Sequence, residues 1–298
     1  MDTTNMEEKG YVATIGMFDG VHRGHQFVLR QVVNDARQHG LQSLVITFDR
    51  KQSLLTPLEE KTTLISNAGI DRIEILPFTD ELKAMTAREF MEQVLKERFH
   101  VRILLIGYDN RFGHNRVEGF EDYVRYGREL NIEVRQLPAD GEVSSSRIRQ
   151  HLQQGQVSDA AQCLGHPYTI TGSVEHGEHI GTKLGFPTAN MVPHDRCQII
   201  PAPGVYAVMV KLENSKKLRH GMMNIGMRPT FNGHKQTLEV HVIGLSKDLY
   251  GQEISIYFVE RLRSERYFES MEALKEQLQC DAVRAEELLN KESYKHII

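Results

Sequence analysis

The 298-residue chain contains no run of about 18 apolar residues, so no transmembrane helix is expected. It has only three cysteines, Cys163, Cys197 and Cys280, isolated and odd in number. They fit reduced thiols in a cytoplasm better than a disulfide framework. Positive charge is not in excess: the formal net charge is −4, which gives no reason to expect nucleic-acid binding. Met1–Gly10 is polar and lacks an apolar segment, so no secretory leader is expected. Internal repeats and low-complexity stretches are also missing. What remains is ordinary globular composition, 40% hydrophobic and 26% charged. A single core stops growing near ~250–300 residues, so this length predicts two domains.

The first half alternates strand and helix signals. Strands are expected at Tyr11–Ile15, Ser43–Phe48, Ile73–Leu76, Ile103–Ile106 and Ile132–Leu137. Helices are expected at Gln26–His39, Leu58–Ala68, Thr86–Phe99 and Glu118–Leu130, with a last one from near Ser145 to Gly155. Thr86 and Glu89 form a capping-box pattern. Apolar strands alternating with helices predict a parallel sheet covered on both faces, with ligands beyond the carboxyl ends of its strands. After about Gly165 the language changes to short β-branched runs punctuated by Gly and Pro: Ile170–Val174, Gly204–Val210, Leu238–Val242 and Ile254–Phe258. These predict an antiparallel sheet or small barrel. Met271–Leu289 returns to helical spacing. The expected domains are residues 1–165 and 166–298.

The most specific local feature of the first half is Gly16-Met17-Phe18-Asp19-Gly20-Val21-His22-Arg23-Gly24-His25, which follows a strand and opens a helix. Its glycines let the backbone approach a ligand, and the helix start offers free N–H groups to phosphate. His22 and His25 can donate hydrogen bonds to a phosphate chain. A plain Gly-rich turn with capping histidines is the blander alternative. Ser144-Ser145-Ser146-Arg147-Ile148-Arg149 puts hydroxyls and two arginines at another helix start, suited to a leaving pyrophosphate or to simple capping. Gly107-Tyr108-Asp109-Asn110 exposes Asp109 beyond a strand, where it could bind a ribose hydroxyl, steady a base or make an Asx-turn.

The decamer resembles the first signature of the nucleotidyltransferase superfamily, and Ser144–Arg149 resembles its second. With Pro57–Lys61 and Ile75–Phe78, the first half looks like the FMN adenylyltransferase module of bacterial FAD synthetases. The resemblance implies a Rossmann-like sheet, with Gly16, Phe18, Asp19, Gly24, Asp109, Ser146 and Arg149 around ATP and FMN, and His22, His25 and Arg147 acting on the phosphates. Relatives usually carry Pro-His-Pro after the second strand, where this chain has Asp49-Arg50-Lys51-Gln52. They commonly carry an aromatic residue where Asn110 stands.

The second half holds Gly172-Ser173-Val174, His176-Gly177 and Gly185-Phe186-Pro187-Thr188-Ala189-Asn190. Gly204-Val205-Tyr206, Asn224-Ile225-Gly226, Arg228-Pro229-Thr230, Leu238-Glu239-Val240-His241 and Leu249-Tyr250-Gly251 follow in order. Thr188 and Asn190 offer hard oxygens that suit Mg²⁺, or make local turn bonds. Glu239 alternates with apolar neighbours and could simply face outward. This series resembles riboflavin kinase. The resemblance implies a small β-barrel with a terminal helix, Gly185 and Arg263 near the ligands, Thr188 and Asn190 at Mg²⁺, and Glu239 as general base. His176 and His179 lack a third ligand at matching spacing, so zinc is not expected. Thr182 stands where relatives often have a basic residue, with Lys183 beside it.

Together the two resemblances span roughly Val12 to Leu289. They imply a bifunctional enzyme that uses ATP to turn riboflavin into FMN and FMN into FAD, as a monomer without membrane or nucleic-acid partners. A kinase with an altered first module, a cytidylyltransferase and a non-catalytic flavin sensor remain open at this point.

Overall fold

A computed structural model describes residues 10–49, 52–138, 143–176, 185–215, 217–230, 233–245 and 247–291. The chain forms two compact units that part after Ser144.

In the first unit, five parallel strands lie in the order β3-β2-β1-β4-β5. They are β1 Tyr11–Ile15, β2 Gln42–Asp49, β3 Arg72–Pro77, β4 Val101–Ile106 and β5 Glu133–Gln136. Alternate residues of a strand face opposite sides. Ala13, Ile15, Leu44, Ile46, Leu104 and Ile106 therefore meet one helical layer, built on Phe90, Met91 and Leu95. Val12, Val45, Ile103 and Leu105 meet the other, built on Leu29, Val32 and Val33 of α1 (Arg23–His39). Burial on both faces is why these strands read as continuous apolar runs. Strand order reverses between β1 and β4, which makes their carboxyl ends the topological switch point.

α2 (Leu58–Asn67) and α3 (Asp80–Ala84) flank β3 in the chain. The expected helix over Thr86–Phe99 begins as α4 (Ala87–Glu89), with Thr86 and Glu89 making the reciprocal capping box. It then widens into a π-helix over Phe90–Arg98, where Phe99 N–H reaches Val94 C=O at 3.1 Å. Apolar periodicity does not distinguish i→i+4 from i→i+5 bonding over so short a span. α5 (Phe120–Leu130) completes the unit.

The second unit opens with α6 (Ser145–Gln153) and α7 (Val157–Leu164), the latter packed against β11. α7 went unrecognised in the sequence, and both helices precede the change of character at Gly165. Six antiparallel strands then close a barrel in the order β10-β7-β6-β11-β8-β9. They are β6 Tyr168–Glu175, β7 Ala189–Pro193, β8 Gly204–Leu212, β9 Leu218–Thr230, β10 Gly233–Val242 and β11 Glu253–Arg263. β7 and β9 had shown only as motifs. Closure gives each a partner on both sides despite the glycines and proline in β9. α8 (Met271–Leu289) lies on one barrel face, where Ala285 and Leu289 meet Val205, Ala207, Met222, Val259 and Leu262. No helix among the described residues is long and apolar enough to cross a membrane.

Candidate active sites

At the switch point of the first unit, the chain leaves β1 through a strained loop. Phe18 and Val21 hold φ values of 48° and 39°, and Gly20 holds 87°. Phe18 and Val21 are buried, and that packing sustains backbone angles they would otherwise avoid. The loop ends at His22, the N-cap of α1, whose Nδ1 accepts the N–H of His25 at 3.4 Å. The proton of neutral His22 therefore sits on Nε2. The two imidazoles stack 3.6 Å apart at 18°, with Phe18 5.1 Å from His25.

Burial pushes His22 down to about 4, against a weaker upward pull from Asp109. His25 lies well below the usual histidine range because of burial first, then His22, then Lys61. Both rings are neutral at pH 7 and act as single N–H donors. His25 Nδ1 is buried without a hydrogen-bond partner among the described residues. A buried, unsatisfied ring nitrogen beside a helix start suits a polar ligand.

Asp109 is exposed at the mouth of this cradle. Asn110 Nδ2 donates to Ile15 O across the switch point, joining the ends of β4 and β1. Asp19 turns inward. It is 7% exposed, and its Oδ1 accepts the N–H groups of Leu55 (2.9 Å) and Thr56 (3.3 Å). Through Oδ1 it ties the loop to the segment at Leu55. Phe18 likewise supports the loop from below, and its ring edge would lie 3.1 Å from a Cβ at Gly16.

A cavity of about 430 Å³ opens beside Gly16 and Met17. Phe48, Phe78, Met85, Phe90 and Phe112 give it apolar walls, with Asn110 and Arg111 at its polar edge. Phe78 is half exposed and stands edge-on to Phe48 at 5.5 Å. One wall depends on Gly113, whose φ is 91° and where a Cβ would lie 2.6 Å from Ala87 N. Sequence reasoning missed this aromatic wall, since its residues come from five separate segments.

Ser146, Arg147 and Arg149 open α6 in the second unit, with Ser146 and Arg147 exposed and Arg149 half-buried. Arg50 and Lys51 lie outside the described residues, as do His179, Thr182 and Lys183.

In the second unit, the candidate site lies along β10. Glu239 lies opposite Asn190 on β7 and opposite Asn224 on β9. Directly opposed side chains share a face about 5 Å apart, so a carboxylate stands between two amides. A cavity of about 330 Å³ lies on this face, between the barrel and α8. Phe186, Met222 and Phe268 supply apolar surface there, and Thr188, Glu239 and Arg263 supply polar groups. A further cavity of about 300 Å³ is lined by Val240 and Val242 of the same strand, together with His176 and Tyr250. The two rings are stacked 3.5 Å apart. Thr188 lines both cavities.

Gly185 is exposed with φ 83° and begins the turn that leads to Thr188. His241 holds that turn: its Nδ1 donates to Pro187 O at 2.8 Å, and its ring stands edge-on to Phe186 at 5.3 Å. The period-two alternation of Leu238-Glu239-Val240-His241 could have put His241 on the face of Glu239 from sequence alone. Arg263 is anchored rather than solvated. Its Nε donates to Asp281 Oδ2 at 2.8 Å, and Asp281, 3% exposed, also accepts Gln277 Nε2 at 2.6 Å. Asp281 and Gln277 face inward from α8, a pairing with no local sequence signal.

Thr188 and Asn190 offer one hydroxyl and one amide oxygen, a donor set that fits Mg²⁺ held mainly by phosphates and water. Among the described residues no three His, Cys, Asp or Glu side chains cluster as metal ligands.

Comparison with known proteins matches residues 4–150 to the FAD synthetase family and residues 164–289 to the riboflavin kinase family. A protein of Escherichia coli (strain K12), named bifunctional riboflavin kinase/FMN adenylyltransferase, is 36% identical, covering 94% of this chain and 93% of its own. A Bacillus subtilis (strain 168) protein of the same name is 32% identical, covering 94% and 92%. Among solved structures, a Streptococcus pneumoniae protein named macrolide-efflux protein superposes with a TM-score of 0.85 at 29% identity, covering 95% of each chain.

Proposed function

Because the chain belongs to the family of bifunctional riboflavin kinase/FMN adenylyltransferases, we propose that its second unit phosphorylates riboflavin and its first adenylylates the FMN produced. The observation that carries the kinase half is Thr188, shared by two cavities, with Glu239 in one of them. Riboflavin occupies the cavity under α8, and ATP occupies the one beside His176 and Tyr250. Their reacting ends meet at Thr188. Glu239 takes the proton of the terminal ribityl hydroxyl as its oxygen bonds to the γ-phosphorus. The bond from that phosphorus to the β-bridging oxygen breaks, and ADP leaves. Thr188 and Asn190 would hold Mg²⁺, which when bound offsets the charge of the phosphates. Arg263, fixed by Asp281, faces the flavin cavity as a permanent cation.

In the first unit, the aromatic cavity takes the flavin ring of FMN, and the cradle at α1 takes the ATP phosphates. An FMN phosphate oxygen attacks the α-phosphorus, the α–β bridging bond breaks, and pyrophosphate departs. The nucleophile is already ionised, so this step needs no base; it needs donors placed where charge develops. His22 and His25 supply neutral N–H groups, and Asp109 faces the ribose. By the resemblance of Ser144–Arg149 to the second signature, Ser146, Arg147 and Arg149 are proposed as pyrophosphate-binding groups at the start of α6. Three free cysteines fit a reducing cytoplasm, and a monomer suffices for both reactions.

The test is to incubate the chain with riboflavin, ATP and Mg²⁺ and to separate the flavins with time. FMN should rise first and FAD follow. FMN that accumulates without FAD would remove the adenylylation half, and unchanged riboflavin would remove the kinase half.

A further inference from the structure

Lys61 is 5% exposed on α2, and the two reactions as described make no use of it. Its Nζ donates to Phe48 O (2.9 Å), Thr47 Oγ1 (3.2 Å) and Met17 O (3.3 Å), which accounts for all three of its protons. Thr47 in turn donates its hydroxyl proton to Met17 O at 3.2 Å. Two donors thus converge on one carbonyl of the strained loop, and the same ammonium grips the carboxyl end of β2. Met17 and Phe48 also line the flavin-sized cavity, so one side chain braces both the phosphate loop and the wall beside it.

We propose that Lys61 is a positioning residue for adenylyl transfer, fastening the Met17 carbonyl to the end of β2 so that the Gly16–His22 loop is set before ATP arrives. The proposal rests on placing the triphosphate at His22 and His25. The chemistry of the loop explains why a brace is needed. Phe18, Gly20 and Val21 hold positive φ, and such angles persist only where the surroundings over-determine them. A carbonyl held from behind also keeps the following N–H groups turned toward an anion.

The charge of Lys61 adds a second effect. Burial pushes Lys61 below the ordinary lysine range, and Asp19 and Asp49 partly oppose that by favouring its protonated form. Its field reaches His25, which faces His22 as well, while Asp109 faces His22. A fixed cation behind the cradle favours a neutral, donating His25.

The experiment compares wild type with Lys61→Met in full-length protein, using ATP and FMN for the first unit and riboflavin for the second. Loss of the brace should raise KM for ATP in FAD formation at least tenfold and lower kcat/KM by roughly 10²-fold, the scale of a misplacement near 1 Å. FMN formation by the same preparation should stay within twofold. The His25 ring signal in NMR should titrate at higher pH than in wild type while the dispersed signals of the folded first unit persist, since unfolding alone would also release it from burial. FAD formation with wild-type KM and kcat in Lys61→Met overturns the proposal. Should that variant unfold its first unit, Thr47→Val decides. A rise of about three- to tenfold in KM for ATP, the scale of one lost hydrogen bond, supports the brace. Unchanged KM in folded Thr47→Val overturns it. His25→Ala, run in parallel, tests the cradle itself: FAD formation that survives this change removes the placement of the triphosphate, whatever Lys61 does.

Discussion

Both units handle the phosphates of ATP, yet they are built from opposite materials. The first offers backbone N–H groups and two neutral, stacked imidazoles at a helix start, and its buried carboxylate, Asp19, accepts the Leu55 and Thr56 amides at Oδ1. The second offers a half-buried carboxylate, Glu239, between two strand amides. The nucleophiles explain the difference. An FMN phosphate arrives as an anion and gives up no proton, whereas a ribityl hydroxyl must lose one. A base is required only where a proton has to leave.

That contrast can be broken one residue at a time. The largest effect should come from Glu239→Gln, which keeps the shape and removes the base: FMN formation should fall by ~10²–10⁴-fold. FAD formation from supplied FMN should stay near wild type in the same assay. His25→Ala should do the reverse, lowering FAD formation by ~10²–10³-fold, the usual loss for one preorganised donor. If either change abolished both reactions in folded protein, the two sites would not be independent.

Stability sharpens the comparison further. Asp281→Ala would leave Arg263 without its buried partner, costing about 3–5 kcal/mol in the second unit by denaturant titration. The first unit should respond to acid instead. His22 titrates near 4 in the folded chain and near 6.5 in the unfolded one, so the unfolded state binds more protons between those values. Its stabilising share is complete above about 6.5 and is lost as pH falls toward about 4. Thermal unfolding of wild type against His22→Asn should show a steeper acid decline in wild type; parallel curves would contradict the assignment. The smallest effect should come from Thr86→Ala, which removes a helix cap outside both sites. It should cost the first unit about 1 kcal/mol without altering either rate.

Sequence and structure agree best where a local pattern coincides with a local structure. The strand–loop–helix around Gly16–His25 was legible because a helix start and its cap lie within a few residues of each other, although α1 begins at Arg23 rather than at Gln26. The alternation in Leu238–His241 placed Glu239 on a strand, but its opposition to Asn190 and Asn224 depends on pairing across more than ten residues. Asp19 illustrates the limit in the other direction. Its bonds to the Leu55 and Thr56 amides join segments more than thirty residues apart, and no pattern within the loop signals them.

By itself the sequence determined the class of each half and the segments proposed to meet phosphate, because backbone periodicity, capping and glycine placement act over short distances. Only the tertiary structure decided which groups are neutral, which are braced and which are shared. The low protonation of His22 and His25, the three bonds of Lys61, the Arg263–Asp281 pair and the position of Thr188 between two cavities all arise from burial and distance. Those quantities come into being when remote segments pack together.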